Sequence, residues 1–144
     1  MFKRCIIALS LVCPPLFAHE LTSFDAISKH LNEGKEIVSV LTTSKCEIDD
    51  PNPLKLPHNN ITLTPSAVLF SDSLIAFDSV KFAHGHPPLP SNGLIQRGSF
   101  VLNNEGNATL TVVFFDASTN QKVSGLDDVK FLCQLGDGLH IFKR

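Results

Sequence analysis

The sequence contains no Trp and no Tyr, although it has eleven Phe among its 144 residues. Trp and Tyr join a large apolar surface to a polar tip, and they are common in sugar-binding platforms and in the hot spots of protein interfaces. Their absence argues against a carbohydrate-binding module. Phe has no polar tip, so we expect the Phe side chains in the interior of the fold.

The sequence also lacks a hydrophobic run long enough to span a membrane. Its longest apolar stretch covers residues 5–17, whereas a membrane helix needs about 20 apolar residues. Two basic residues precede the stretch and the small Ala18 ends it, which is the pattern of a cleaved export signal. The sequence therefore predicts a signal peptide over residues 1–18, one domain over residues 19–144, and a periplasmic or secreted location.

An excess of basic residues is absent as well. Without the predicted signal peptide, ten basic residues remain against fourteen acidic ones, so the net charge is −4. A mildly acidic protein is a poor match for nucleic acid or for an anionic membrane surface. We expect a host or envelope protein, or a small apolar ligand, as the partner, and no cofactor.

The hydrophobic period indicates one helix followed by strands. The helix is predicted over residues 22–35, with Thr22 as N-cap and Gly34 as the left-handed exit residue. From residue 37 onward the period is two, and turn residues recur every 8 to 12 positions. The predicted strands are 37–43, 61–64, 67–70, 74–82, 94–102, 107–115, 122–124, 129–135 and 139–142. This pattern predicts a mainly β fold, a single antiparallel β-barrel or sandwich with one N-terminal helix.

Cysteine is scarce, and only two of the four cysteines lie outside the predicted signal peptide. These are Cys46 and Cys133, which are 87 positions apart. In an oxidising compartment such a pair is more often bonded than free. The sequence therefore predicts a structural disulfide between them.

The longest predicted loop, residues 84–93, holds three prolines and two glycines. A loop of this kind is a candidate binding element by position alone. The candidate contact residues are Pro87, Pro88, Leu89, Pro90, Ser91 and Asn92.

Histidines suggest a metal site as an alternative. His84 and His86 alternate along an extended segment, so both imidazoles can reach one Zn²⁺ or Cu²⁺ ion, although in a proline-rich loop a solvated turn is the simpler interpretation. Cleavage after Ala18 would make His19 the N-terminus, where the free amine and the imidazole can chelate copper together with one further His.

No catalytic constellation assembles from the sequence. A Gly-x-Ser-x-Gly elbow is absent, and Gly98-Ser99 lies within a strand pattern rather than at a strand-to-helix turn. The acidic pairs Asp49-Asp50 and Asp127-Asp128 lie in turn-like segments, where Asp is favoured for its backbone hydrogen bonds. We therefore expect no catalytic residues and no enzymatic activity.

Four segments together resemble the VirK family of small exported proteins of Gram-negative bacteria. They are Glu20-Leu21-Thr22-Ser23-Phe24, Ser44-Lys45-Cys46, Ile75-Ala76-Phe77 with Phe82, and Cys133-Gln134-Leu135-Gly136-Asp137-Gly138-Leu139-His140-Ile141-Phe142. The resemblance covers nearly all of residues 19–144, and it implies export and an association with virulence. It supplies no catalytic residues, because the family's biochemical activity is undefined. Many members carry a His before the second Phe, where this chain has Lys81.

These observations predict an exported, virulence-associated small binding or interaction protein. Two alternatives remain open at this point. One is a small β-barrel that carries an apolar or lipid-like ligand, which the nine Phe after residue 18 favour. The other is a histidine-dependent metal-binding protein.

Overall fold

The structure, a computed structural model, describes residues 19–49, 60–83 and 93–144. These ranges contain one α-helix, one 3₁₀ turn (Thr43–Lys45) and nine strands. The elements are α1 (Phe24–Asn32), β1 (Ile37–Thr42), β2 (Glu47–Asp49), β3 (Asn60–Leu63), β4 (Leu69–Phe70), β5 (Leu74–Ala83), β6 (Leu94–Asn103), β7 (Asn107–Asp116), β8 (Val129–Gln134) and β9 (Leu139–Lys143). No helix in the described ranges is long and apolar enough to cross a membrane.

The N-cap of the helix lies one residue later than predicted. Ser23 is the N-cap, and its hydroxyl accepts a hydrogen bond from the backbone N–H of Ala26 at 3.2 Å. The prediction of Thr22 as the cap is therefore wrong, because Thr and Ser are both good N-caps and adjacent candidates are hard to separate by sequence. The exit residue Gly34 has φ +71°, as predicted.

All strand pairs are antiparallel, and they form two sheets. One sheet has the order β3-β1-β9, and the other has the order β2-β8-β7-β6-β5-β4. The mainly β fold with one N-terminal helix is thus confirmed. Within the described residues the strands do not close into a single barrel, because β9 pairs with β1 and not with β8.

The free edge of β9 is covered by residues 19–21. The Lys143 N–H donates to the carbonyl of His19 at 3.0 Å, and the Leu21 N–H donates to the carbonyl of Ile141 at 2.7 Å. These bonds attach the start of the described chain to its last strand.

The two sheets share one hydrophobic core. Ile37 and Leu41 of the first sheet belong to the same buried cluster as Phe100 and Phe131 of the second. The predicted alternation also holds along β5, where Phe77 is buried and Phe82 lies on the opposite face with 60% of its surface exposed. The expectation that Phe side chains are interior therefore fails for Phe82.

Two short segments differ from the predicted strands. β2 is a strand although it contains Asp49 and precedes Pro51, because it pairs with β8 next to the disulfide. Residues 122–124, predicted as a strand, contribute only the single bridge between Phe115 and Lys122.

Candidate functional site

The register between β5 and β6 brings four small or polar residues together on the face that points to the first sheet. Ser79 lies opposite Gly98, and Lys81 lies opposite Gln96. Residues two apart in a strand share a face, and directly opposed residues of an antiparallel pair have neighbouring side chains. The four positions therefore form one patch, at the end of the sheet away from the Phe77–Phe100 ring stack.

A cavity of about 300 Å³ lies over this patch, between β3 and the inner face of β5, β6, β7 and β8. Its apolar lining residues are Ile61, Leu63, Leu110, Val112, Phe114, Val129 and Phe131. Its polar lining residues are Thr43, Asn60, Ser79, Lys81 and Gln96, and Gly98 completes the wall. The cavity is thus mainly apolar, with polar groups gathered on one side.

Gly98 leaves room in the wall because it has no side chain. A Cβ atom at this position would lie 3.2 Å from Cδ1 of Leu110 and 3.8 Å from the carbonyl oxygen of Ser79. A larger residue at position 98 would therefore take up cavity volume, and the flexible end of Leu110 would have to yield.

Lys81 brings a positive charge to the cavity. Its Nζ donates a hydrogen bond to the carbonyl oxygen of Thr62 in β3, so the side chain bridges the two sheets. The ion pairs among the described residues do not include Lys81, and no carboxylate lines the cavity there. Lys81 is therefore the one charged group of this site in the described part of the chain.

Three neutral polar side chains accompany Lys81 without protein partners. The side chains of Asn60, Ser79 and Gln96 form no hydrogen bond within the described residues. Ser79 is 9% exposed, Gln96 is half-buried and Asn60 is exposed. Each side chain has a hydrogen-bonding group that the protein leaves unused, so all three retain capacity for a ligand.

The disulfide is present where the sequence predicts it. Cys46 and Cys133 are bonded, with their Cα atoms 4.5 Å apart. The final hairpin packs on this bond, because the Gly138 carbonyl accepts a hydrogen bond from the Thr42 N–H at 2.8 Å. Lys45 Nζ also lies 3.1 Å from an Asp137 carboxylate oxygen. The two cysteine-bearing segments of the family resemblance are thus in direct contact.

Most of the other candidate residues are not placed by the structure. His84, His86 and the candidate contact residues Pro87, Pro88, Leu89, Pro90, Ser91 and Asn92 lie outside the described residues. His19 lies within the described residues. It is exposed, and its carbonyl oxygen accepts a hydrogen bond from the backbone N–H of Lys143. The metal and loop predictions therefore stay predictions.

Among the described histidines, His140 has both ring nitrogens engaged. Nδ1 lies 2.6 Å from a carboxylate oxygen of Glu20, and Nε2 lies 3.0 Å from the carbonyl oxygen of Asp137. The Glu20 contact helps to hold residues 19–21 against β9, and the Asp137 contact ties β9 to the turn before it. The described residues contain no group of three or more His, Cys, Asp or Glu side chains suited to a metal ion.

Sequence reasoning missed the cavity residues. The available signal was the alternation of β5, in which the buried Ser79 continues the face of Ile75 and Phe77 and the exposed Lys81 follows on the same face. Polar residues on a buried face are the informative exception, and here they mark the cavity.

Comparison with known proteins gives one consistent family. The family model described as VirK protein matches residues 20–120. The crystal structure of lpg1832, a VirK family protein from Legionella pneumophila, superposes with a TM-score of 0.75 and 28% sequence identity. The match covers 87% of this chain and 99% of that one. No curated protein matches the chain. Because the family model spans more than half of the sequence, the chain belongs to the VirK family.

Proposed function

We propose that the chain is an exported, virulence-associated binding protein that holds a small, mainly apolar ligand between its two sheets. VirK family membership supports the association with virulence. The observation that carries the binding role is the cavity of about 300 Å³. This volume lies at the lower end of small-molecule sites, which span about 300–1,000 Å³.

The character of the cavity favours a ligand over a packing defect. The cavity is partly open to the surface, so a small molecule can reach it. Water beside Phe114, Phe131 and the aliphatic lining residues gains no hydrogen bond from those side chains, although a water molecule needs two to four polar partners. An apolar molecule would replace that water at a gain in free energy.

Binding without catalysis is part of the proposal. Lys81 is the only titratable side chain in the cavity lining of the described residues. The hydroxyl of Ser79 has no His or carboxylate base beside it among the lining residues that the structure describes. Acid–base or nucleophilic catalysis normally needs such a pair.

Export is supported by the pattern of residues 1–18 and by the disulfide. A short basic segment, an apolar stretch and Ala18 fit a cleaved signal. Disulfides persist in oxidising compartments such as the periplasm. A host or envelope protein as an additional partner stays a prediction.

Native mass spectrometry of the protein purified from its own cells tests the binding role. We expect the wild type to carry an added mass of a small molecule, and Gly98→Val to lose it, because the new side chain fills the cavity. The matched control is Ser99→Val, which places the same side chain on the exposed face of the same strand.

The controls decide between blocked binding and misfolding. Both variants should retain the wild-type far-ultraviolet circular dichroism spectrum, and Ser99→Val should retain the added mass. If Gly98→Val does not fold, Gly98→Ala, which adds a smaller side chain, replaces it in the test. A wild-type protein without any added mass, or an equal added mass in a folded variant at position 98, would overturn the proposal.

A further inference from the structure

We infer that the ligand is a small amphipathic anion, which places a carboxylate or similar head beside Lys81 and its apolar body against Phe131. This inference rests on the proposed function, since it names the class of molecule that the same cavity takes. It is carried by the charge, the unpaired donors and the size of the site.

The charge of the site is positive and uncompensated. Lys81 has no ionic partner among the described residues, and no carboxylate is in the cavity lining there. Its ammonium group has three donors, of which the Thr62 carbonyl takes one. Two donors thus remain for a ligand, in a protein with more acidic than basic residues.

Neutral donors stand next to this charge. Ser79 precedes Lys81 by two positions on the same face, and Gln96 lies directly opposite Lys81. The Ser79 side chain is nine-tenths buried and has no partner within the described ranges. An anionic oxygen in the cavity would accept hydrogen bonds from the hydroxyl, the amide and the ammonium group together.

The remaining wall suits a hydrocarbon or an aromatic ring. Beyond Ser79, the inner face of β7 and β8 presents Leu110, Val129 and Phe131, all at most 2% exposed. At about 30 Å³ per water-sized group, a volume of about 300 Å³ holds about ten non-hydrogen atoms. The site therefore fits a medium-chain or aromatic acid.

Isothermal titration calorimetry with octanoate and 1-octanol at neutral pH tests the inference. The two probes share the apolar chain and differ in charge. We expect octanoate to bind the wild type at least about tenfold more tightly, since a charge-assisted hydrogen bond is worth that factor or more. Lys81→Gln should remove the preference, and Lys81→Arg should keep it.

The matched control is Lys130→Gln, which makes the same charge change on the exposed face of β8. It should leave both affinities unchanged, and a loss of octanoate preference in this variant would contradict a role specific to Lys81. Thermal unfolding of each variant checks that loss of the Thr62 bond does not unfold the protein.

The possible outcomes separate this inference from the proposed function. Equal affinity of the wild type for both probes, or tighter binding of 1-octanol, overturns the anionic ligand and leaves an apolar binding site standing. No binding of either probe, together with a neutral molecule identified by mass spectrometry of the natural complex, overturns the anionic class alone. No binding and no natural added mass overturn both.

Discussion

Gly138 lies where the final hairpin packs against the disulfide. A Cβ atom at this position would be 2.9 Å from Cys46 Sγ and 3.0 Å from the carbonyl oxygen of Lys45. Neither atom can move without displacing the disulfide or the backbone. The position therefore requires glycine for close approach rather than for an unusual backbone angle.

We predict that Gly138→Ala lowers the free energy of unfolding by about 1–3 kcal/mol, which is the usual cost of overpacking. Urea denaturation followed by far-ultraviolet circular dichroism measures it, since the chain has no Trp to report by fluorescence. The control is Gly98→Ala, whose Cβ would lie 3.2 Å from the flexible end of Leu110 and at an ordinary contact distance of 3.8 Å from the Ser79 carbonyl oxygen. If the two variants were equally stable, the close approach at Gly138 would be unimportant.

Asp116 organises the turn after β7. Its carboxylate accepts hydrogen bonds from the Ser118 hydroxyl at 2.5 Å, the Ser118 N–H at 2.8 Å and the Thr119 N–H at 3.0 Å. The Ser118 hydroxyl, followed by the Thr119 and Ser118 N–H groups, lowers the pKa of Asp116 from its ordinary value. The ionised form is therefore favoured in the folded state.

This shift sets the direction of a pH effect. Because the folded pKa is below the unfolded one, the contribution of Asp116 to stability is present above its unfolded pKa and is lost as the pH falls through its folded pKa. We expect an NMR titration of the carboxyl group to show the lowered pKa, and Ser118→Ala to raise it. An unchanged pKa in Ser118→Ala would show that this hydroxyl is not its main cause.

At the scale of elements, the disulfide joins the segment after β1 to β8. Closing a loop of 87 positions stabilises a fold by roughly 4–5 kcal/mol in the chain-entropy model. We predict that Cys46→Ala combined with Cys133→Ala lowers the free energy of unfolding by an amount of this order. Urea denaturation of the variant, beside the wild type with and without reductant, measures the loss.

The reductant supplies the control for that measurement. The reduced wild type should unfold at nearly the same urea concentration as the double variant. Reductant should not change the urea concentration at which the double variant unfolds. A double variant as stable as the oxidised wild type would mean that the pair does not restrain the unfolded chain.

The sequence predicted most strands because burial on one face imposes a period of two. β6 and β8 follow that pattern closely, with burial alternating along Phe100–Leu102 and Val129–Cys133. The sequence did not predict β2, because Asp and Pro normally end strands. The segment is a strand because it pairs with β8. Such pairing is a property of distant residues, which a local pattern does not contain.

At the scale of the whole molecule, the cavity is the least predictable feature. It forms where β3 of one sheet faces four strands of the other, so it depends on how the two sheets pack. The count of Phe suggested an apolar ligand, but of the Phe residues that the structure describes, two line the cavity, Phe114 and Phe131. The chemistry of the site comes instead from Lys81 and Ser79, whose meaning depends on the register with β6.

The export prediction concerns the chain as a whole. We predict that N-terminal sequencing of the protein recovered from its own cells begins at His19. Ala18→Phe should instead accumulate a longer precursor, because signal peptidase needs a small residue there. Ala18→Gly is the matched control and should be processed normally. A protein that retains residue 1 in the wild type would contradict export by a cleaved signal.

The disulfide also determines which parts of the chain a mechanical force on the two ends can unfold. All the strands that line the cavity lie between Cys46 and Cys133, so a force applied at His19 and Arg144 passes through the sulfur bridge and not along those strands. Such a force can extend only roughly 40 residues at about 3.5 Å each, or about 140 Å. Mechanical tension on the ends would thus peel away residues 19–21, α1 and the strands β1 and β9 of the first sheet, while the cavity strands remain in a closed covalent loop.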